Sequence, residues 1–224
     1  MTDQKHVVVI GAGIVGVSTS IWLQRAGHTV TLIDREGPAS GTSYGNGGIL
    51  TTIGMIPVTV PGLLRKIPKM LFSRDEPLLP RWSYLPKLIP FLAKYLPHGN
   101  VDDVNHIADG LTLLLEDTAE QHIALAAGTG AEKYVVPGDY LFGYKNRDAF
   151  EADAFAWSVR RERGFEFHVM EQAEFDAYDP AMAGRFGIGV RCPNHGRITD
   201  PGGYVKTLAG HVVDVGGRGF GADG

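Results

Sequence analysis

Val7-Val8-Val9-Ile10-Gly11-Ala12-Gly13-Ile14-Val15-Gly16 decides how the rest of the chain is read. Four consecutive apolar residues suit a central parallel strand buried on both faces. Each glycine of the turn that follows has a physical task. Gly11 permits the tight turn out of the strand, Gly13 lets a diphosphate approach the backbone, and Gly16 lets the next helix pack close to the strand. The helix opening there presents unpaired N–H groups and a positive dipole end, both favourable to phosphate. It runs to Ala26 and stops at Gly27, a natural residue just past a helix C-terminus. Thr29-Val30-Thr31-Leu32-Ile33 is a second, β-branched strand. It ends in Asp34, 18 residues after Gly16, where a carboxylate accepts the hydroxyls of an adenosine ribose. The same carboxylate repels a 2′-phosphate, so NADP is disfavoured even with Arg35 adjacent.

Working outward, residues 35–56 lack a period and are rich in Gly, Ser and Thr. An NAD-binding unit would continue here into a third strand and helix. Instead Ser40-Gly41-Thr42-Ser43-Tyr44-Gly45-Asn46-Gly47-Gly48-Ile49-Leu50 offers small residues and hydroxyl donors, suited to a backbone passing along the second, flavin-bearing part of a longer cofactor. Prolines crowd residues 57–97 and keep any helix there short or kinked. A long helical period then spans about Asp102 to Ala127, with Asp102 or Asp103 as N-cap and Gly128 beyond its end. Tyr134–Val136 and Tyr140–Tyr144 read as strands around a Pro137-Gly138-Asp139 turn. A helix over Asp148–Arg163 precedes Gly164, and strands are expected at Phe165–Val169 and Ile188–Cys192. Asp200-Pro201 marks a helix entrance, after which Tyr204, Val205, Leu208 and Val212 keep a helical period.

Composition narrows the classes. The formal charge of −4 opposes a nucleic-acid binder, which needs a basic excess. The single cysteine, Cys192, excludes an internal disulfide, a dithiol redox pair and a cysteine-built zinc site, and no metal ligand set stands out. No apolar run nears the ~18 residues of a spanning helix, and the run after His6 is too short for a signal peptide. A reducing cytoplasm is the expected setting. Thirty glycines, about 13% against a usual ~7%, cluster at residues 11–16, 41–54 and 216–224.

Val7–Gly16, Gly27–Arg35 and Thr42–Gly48 together resemble the FAD-dependent D-amino-acid oxidase superfamily, and within it most nearly the bacterial D-amino-acid dehydrogenases of the DadA type. Pro61-Gly62, Gly138–Leu141 and Gly196–Pro201 carry the likeness onward, so that it covers most of residues 5–212. The resemblance implies an α/β fold: a Rossmann-like FAD-binding domain, here incomplete, with an inserted α+β substrate or cap domain. The expected boundaries are 1–56 for the first FAD-binding segment, 57–196 for the insert and 197–224 for the return. It implies FAD as cofactor, held at the diphosphate by Gly11, Ala12, Gly13, Ile14, Val15 and Gly16. Asp34 would hold the ribose with Arg35 beside the adenine, and Thr42, Ser43, Asn46, Gly47 and Gly48 would line the flavin side. It implies oxidation of the CH–NH2 group of an amino acid, D-amino acids foremost, by hydride transfer to flavin N5. The products are a 2-oxo acid and ammonia, and a quinone of the respiratory chain takes the electrons. An O2-using amine oxidase of the glycine or sarcosine type, or a non-catalytic flavin-binding fragment or subunit, is the alternative.

No general base is required if the amine binds neutral, so no catalytic residue is nominated. His195 and Arg197 stand in a glycine-containing turn, where solvated loop roles are the commoner outcome. Tyr140 and Tyr144 share one strand face and either roof a pocket or pack in the insert's core. Leu63–Phe72 and Leu85–Leu96 mix apolar residues with lysines. They suggest either a proline-kinked helical hairpin over the active site or peripheral contact at the cytoplasmic face of the inner membrane. The superfamily's members are roughly twice this length. The chain therefore reads as the N-terminal half of such an enzyme, with a tail, residues 216–224, too glycine-rich to make a good strand.

Overall fold

The computed structural model describes residues 4–62 and 81–220. Two compact units divide the chain: residues 1–52, 117–142 and 190–224 form the first, and residues 53–116 and 143–189 the second. The expected boundaries at 57 and 197 differ from these, chiefly because residues 117–142 group with the first unit.

In the first unit β1 (His6–Ile10), α1 (Ile14–Arg25) and β2 (Thr29–Ile33) follow the order expected of them. Gly27, at φ +88°, ends α1: its N–H donates to Gln24 O at 2.9 Å, and that of His28 to Leu23 O at 3.0 Å, closing the helix in a Schellman arrangement. β1 and β2 pair in parallel with Val7 opposite Val30 and Val9 opposite Leu32. On the far side of β2 lies β7 (Arg218–Phe220), also parallel, with Leu32 opposite Gly219. That strand corrects the expectation for the glycine-rich tail. A ladder needs only backbone groups, and Gly219 leaves room for Val213, whose Cγ2 would lie 3.2 Å from any added Cβ.

Among the described residues the order β1-β2-β7 puts β1 at an edge, with Val8 52% and Ile10 84% exposed. The expectation of burial on both faces therefore fails for β1 and holds for β2, whose Val30, Thr31 and Leu32 are buried. α8 (Pro201–Asp214) covers the sheet alongside α1. Asp200 caps it as expected, its Oδ1 accepting the Gly203 N–H at 2.9 Å. Val17 and Ile21 of α1 meet Tyr204, Leu208 and Val212 of α8 in one core, each side chain worth about 1.5–3 kcal/mol on burial.

The helix expected over residues 102–127 is two. α3 (Val101–Leu115), capped by Asn100, belongs to the second unit, and α4 (Thr118–Ala126) to the first. The break at Glu116-Asp117 lets α4 turn to α1, where Arg25 donates to the carbonyls of Ala124, Leu125 and Ala127 at 2.8–3.0 Å. Val135–Tyr144 is one continuous strand, β4, rather than a hairpin. It ends the order β3-β6-β4, where Pro137, lacking an N–H, is tolerated. β3 is Ile49–Leu50, and β6 runs Ile188–Ile198, so the expected Asn194–Arg197 turn lies inside a strand, Asn194 taking φ +63°.

In the second unit, short 3-10 turns apart, α2 (Leu85–Tyr95), α5 (Arg147–Glu151), α6 (Ala154–Glu162), β5 (His168–Glu171) and α7 (Gln172–Tyr178) join α3. The helix expected over 148–163 is thus interrupted, and the expected strand at 165–169 starts at His168. Tyr144 sits in this unit's interior, its hydroxyl donating to Asp153 Oδ2 at 2.8 Å and accepting from Trp157 Nε1 at 3.0 Å. Leu63–Phe72 lies outside the described residues.

Candidate functional site

The loop between β1 and α1 is shaped by its glycines. Gly11 adopts φ +103°, and its N–H donates to Ile33 O at 2.7 Å. A Cβ on Gly16 would fall 1.8 Å from Gly11 O, so only glycine allows α1 to begin this close to the strand. Gly13 is the N-cap and offers no side chain to the helix. Helix geometry leaves the N–H groups of Val15 and Gly16 without an intrahelical acceptor, open to an anion.

Asp34 stands at the mouth of this loop. Its Oδ2 accepts the Ala12 N–H at 2.7 Å, and its Oδ1 the Glu36 N–H at 2.8 Å. The Ala12 N–H first, then that of Glu36, hold the carboxyl below its ordinary 3.8, against a smaller opposing effect of burial. The group is therefore ionised at neutral pH, with lone pairs still free for hydroxyl donors. It borders a cavity of about 380 Å³ whose walls include Ala12, Leu32, Lys206, Ala209 and Gly219. Lys206 and Gly219 were missed in the sequence. Lys206, Ala209, Gly210 and Val213 all line this cavity, and their spacing places them on one face of α8, a stripe the helical period alone could have shown. Arg35 points into solvent, 88% exposed, and pairs with Glu36 at 3.4 Å.

The loop of residues 41–48 folds back onto the start of α1. Ser43 is buried, and its Oγ accepts the Ile14 N–H at 2.9 Å. Asn46 knits the loop together, donating to Thr42 O and Ser43 O and accepting from Gly48 N at 2.8 Å. Gly48 takes φ +61° with its carbonyl 2.6 Å from Ile198 N, where a Cβ would strike Ile198 O at 2.2 Å. Thr42 and Gly47 are exposed.

Ile14, Ser43, Asn46 and Gly48 share a second cavity, of about 140 Å³, with His122 and Tyr204. Sequence reasoning assigned His122 nothing. Its Nδ1 lies 3.1 Å from the Tyr204 hydroxyl. Burial lowers the imidazole below its ordinary 6.5 and pushes the Tyr204 hydroxyl up to about 12, so both are neutral at neutral pH.

His195 lines neither cavity. It is buried in β6, its Nδ1 at 2.7 Å from Pro193 O and its Nε2 at 3.4 Å from Thr52 Oγ1, with its ring stacked on Tyr140 at 5.7 Å. Burial lowers its basicity too. It is therefore neither a solvated loop residue nor a base facing this site. Arg197 is exposed on the same strand, opposite Ile49. Among the described residues no cluster of three metal-ligating side chains occurs.

A parallel strand–helix–strand unit with a glycine-lined turn and a charged carboxylate at the end of its second strand defines a Rossmann-like α/β class. Residues 6–220 match the DAO family, described as FAD dependent oxidoreductase, and the chain belongs to that family. It is 36% identical over 221 residues to a D-amino-acid oxidase of Bradyrhizobium diazoefficiens, covering 97% of this chain and 52% of that protein. It is 32% identical over 184 residues to D-amino acid dehydrogenase 2 of Ralstonia nicotianae, covering 81% of this chain and 43% of that one. Among solved structures, L-amino acid deaminase from Proteus vulgaris superposes with a TM-score of 0.63 at 15% identity, over 99% of this chain and 40% of that chain. Glycine oxidase from Bacillus cereus does so at 0.58 and 15%, over 98% and 46%. These two likenesses establish the fold. The chain spans about half the length of the curated relatives it matches.

Proposed function

We propose that this chain carries the FAD-binding loop of an amino-acid oxidoreductase acting on the CH–NH2 group of D-amino acids. The observation that carries the reading is the Asp34 carboxylate, fixed 2.7 Å from the Ala12 N–H at the mouth of a loop whose tight turn Gly16 permits. Bound FAD supplies the acceptor for the hydride removed from the substrate. The chain's own groups provide the grip. The first-turn N–H groups of α1 face the diphosphate, Asp34 accepts the ribose hydroxyls, and Ser43, whose oxygen already accepts Ile14 N–H, keeps its O–H to donate. Leu32, Ala209 and Gly219 give the Asp34 cavity an apolar, small-residue lining suited to adenine. Gly48 and its neighbours bring bare backbone to the flavin side.

The names of the two curated relatives support the D-amino-acid substrate class, the imine product hydrolysing to a 2-oxo acid and ammonia. A quinone is the acceptor in this reading, and the oxidase name of one relative favours O2 as the second reading. The decisive measurement is FAD titration of the purified chain, followed by flavin fluorescence. Saturable binding that Asp34→Ala weakens supports the proposal, and equal binding by both proteins overturns it. With flavin bound, anaerobic bleaching by D-alanine reports amino-acid oxidation, and peroxide formed in air marks the oxidase.

A further inference from the structure

His122 and Tyr204 line the cavity of about 140 Å³ beside the loop of residues 41–48, yet the proposed grip on FAD uses neither. Every residue of that cavity belongs to the first unit. Ile49, Leu50, Ile198 and Val205 supply an apolar wall, and among the described residues no carboxylate and no cationic side chain lines it. Its polar side chains are Ser43, Asn46, His122 and Tyr204, and their protons can be followed one by one.

Asn46 spends its amide on Thr42 O and Ser43 O and its side-chain oxygen on the Gly48 N–H. Ser43 accepts the Ile14 N–H and keeps its O–H. The Tyr204 hydroxyl has a single proton and two acceptors near it, His122 Nδ1 at 3.1 Å and His122 O at 3.4 Å. That carbonyl lies inside α4 and already takes the Ala126 N–H four residues on, so the shorter contact carries the hydroxyl proton. Nδ1 is then an acceptor, and the proton of the neutral imidazole sits on Nε2. Nε2 has no hydrogen-bond partner among the described residues. Tyr204 is itself held in the core shared with Val17, Ile21 and Leu208, its ring 5.8 Å from the imidazole. The uncommitted side-chain donors of the cavity are therefore the Ser43 O–H and the His122 Nε2–H.

Hydride arriving at flavin N5 brings an electron pair into the ring, and the negative charge settles on the edge that carries N1 and the C2 carbonyl. A donor at that edge binds the reduced ring more strongly than the oxidised one, because hydrogen bonds to charged acceptors are about twice as strong as neutral ones. An apolar wall adds to the difference. We infer that the His122 Nε2–H is this donor, favouring reduced over oxidised flavin, and that Tyr204 is the positioning residue that fixes its tautomer and direction. The inference rests on the reading that the chain binds FAD. Packing alone would be served by an apolar side chain and leaves the uncommitted nitrogen without a use.

The test is the two-electron potential of FAD bound to the purified 224-residue chain, read by anaerobic equilibration with a reference dye, beside titrations with oxidised and reduced FAD. His122→Phe keeps a ring but has no donor. It should weaken binding of reduced FAD about five- to tenfold more than binding of oxidised FAD. That ratio lowers the potential by about 20–30 mV, at about 30 mV per tenfold. His122→Gln, which keeps an N–H donor, should recover part of the loss. Tyr204→Phe should lower the potential in the same direction by a smaller amount. Equal weakening of both flavin forms by His122→Phe marks a packing role and overturns the inference, as does a potential that neither His122→Phe nor Tyr204→Phe moves. In both cases FAD still binds, and the flavin proposal stands. A parent chain that binds no FAD overturns that proposal and this inference with it. Should thermal melts show His122→Phe unfolded, Tyr204→Phe, which removes one oxygen and no bulk, decides the matter.

Discussion

Gly16→Ala tests the tightest contact in the loop. The added methyl would lie 1.8 Å from Gly11 O and 3.0 Å from Gly11 C, both backbone, and 3.4 Å from Val9 Cγ1. No rotamer change relieves a clash with backbone, so α1 must retreat from β1 or the loop must open. Overpacking of this kind costs about 3 kcal/mol at the upper end. Alanine recovers up to about 1 kcal/mol of helix propensity over glycine, leaving a net loss of about 2 kcal/mol. That corresponds to a fall in Tm of about 4–8 °C for a chain of this size. Retreat of α1 also withdraws its first-turn N–H groups from a bound diphosphate, so FAD affinity should fall about tenfold or more, ~1.4 kcal/mol. Gly41→Ala is the matched control, because nothing lies within 4 Å of its Cβ position and its φ is not positive. Thermal melts and flavin titrations of the two variants decide the matter. If Gly16→Ala melts and binds FAD like Gly41→Ala, the argument that glycine sets the approach of helix to strand is refuted.

Asp34 has a folded pKa below 3.8, so its stabilising effect is complete above that value and is lost as pH falls through the lower folded one. Asp34→Asn should therefore flatten the acid limb of unfolding, followed by circular dichroism. His195 is lowered below 6.5 by burial, so the unfolded chain takes up the proton first and stability should drop as pH falls below 6.5. His195→Gln should reduce that slope in urea titrations run on either side of this pH, and an unchanged slope would place its origin elsewhere, His122 being next. Arg25→Ala removes three hydrogen bonds to the carbonyls at the end of α4 and should cost about 1–2 kcal/mol in urea unfolding. Arg25→Lys should recover only part of that, since one ammonium cannot match a guanidinium's fixed fork.

The parts of the fold that were legible in the sequence are those whose conformation depends on near neighbours. Gly27 ends α1 and Asp200 caps α8 through contacts three to five residues away, and both were readable from residue type. Burial was less legible because it depends on which strand comes next in space. Val7–Ile10 has the composition of a central strand, yet among the described residues β1 has a hydrogen-bonded neighbour on one side only, and Ile10 is 84% exposed. Proline and glycine misled in the same way. Pro137-Gly138-Asp139 is a common turn signal, but at the end of a sheet order the missing N–H costs no ladder bond, and the strand runs through.

The site shows the same division, and there it bears on function. Gly16 and Asp34 were identifiable because the geometry that needs them spans one strand–helix–strand unit, closed by the bond from Ala12 N–H to Asp34. His122 and Lys206 reach the two cavities from α4 and α8, about 80 and 170 residues further along the chain than Ser43 and Asp34 respectively. Nothing in their local sequence announces a site. What brings them in is the packing of α8 beside α1, through a core in which Leu208 and Val212 are fully buried. A perturbation of that core should therefore reach the site without touching it. Leu208→Ala, at about 2–5 kcal/mol for a buried leucine, should loosen both cavities together. Flavin affinity and Tm falling in parallel would bear this out. A lowered Tm with unchanged flavin affinity would mean that the loop of residues 11–16 holds its shape without α8 behind it.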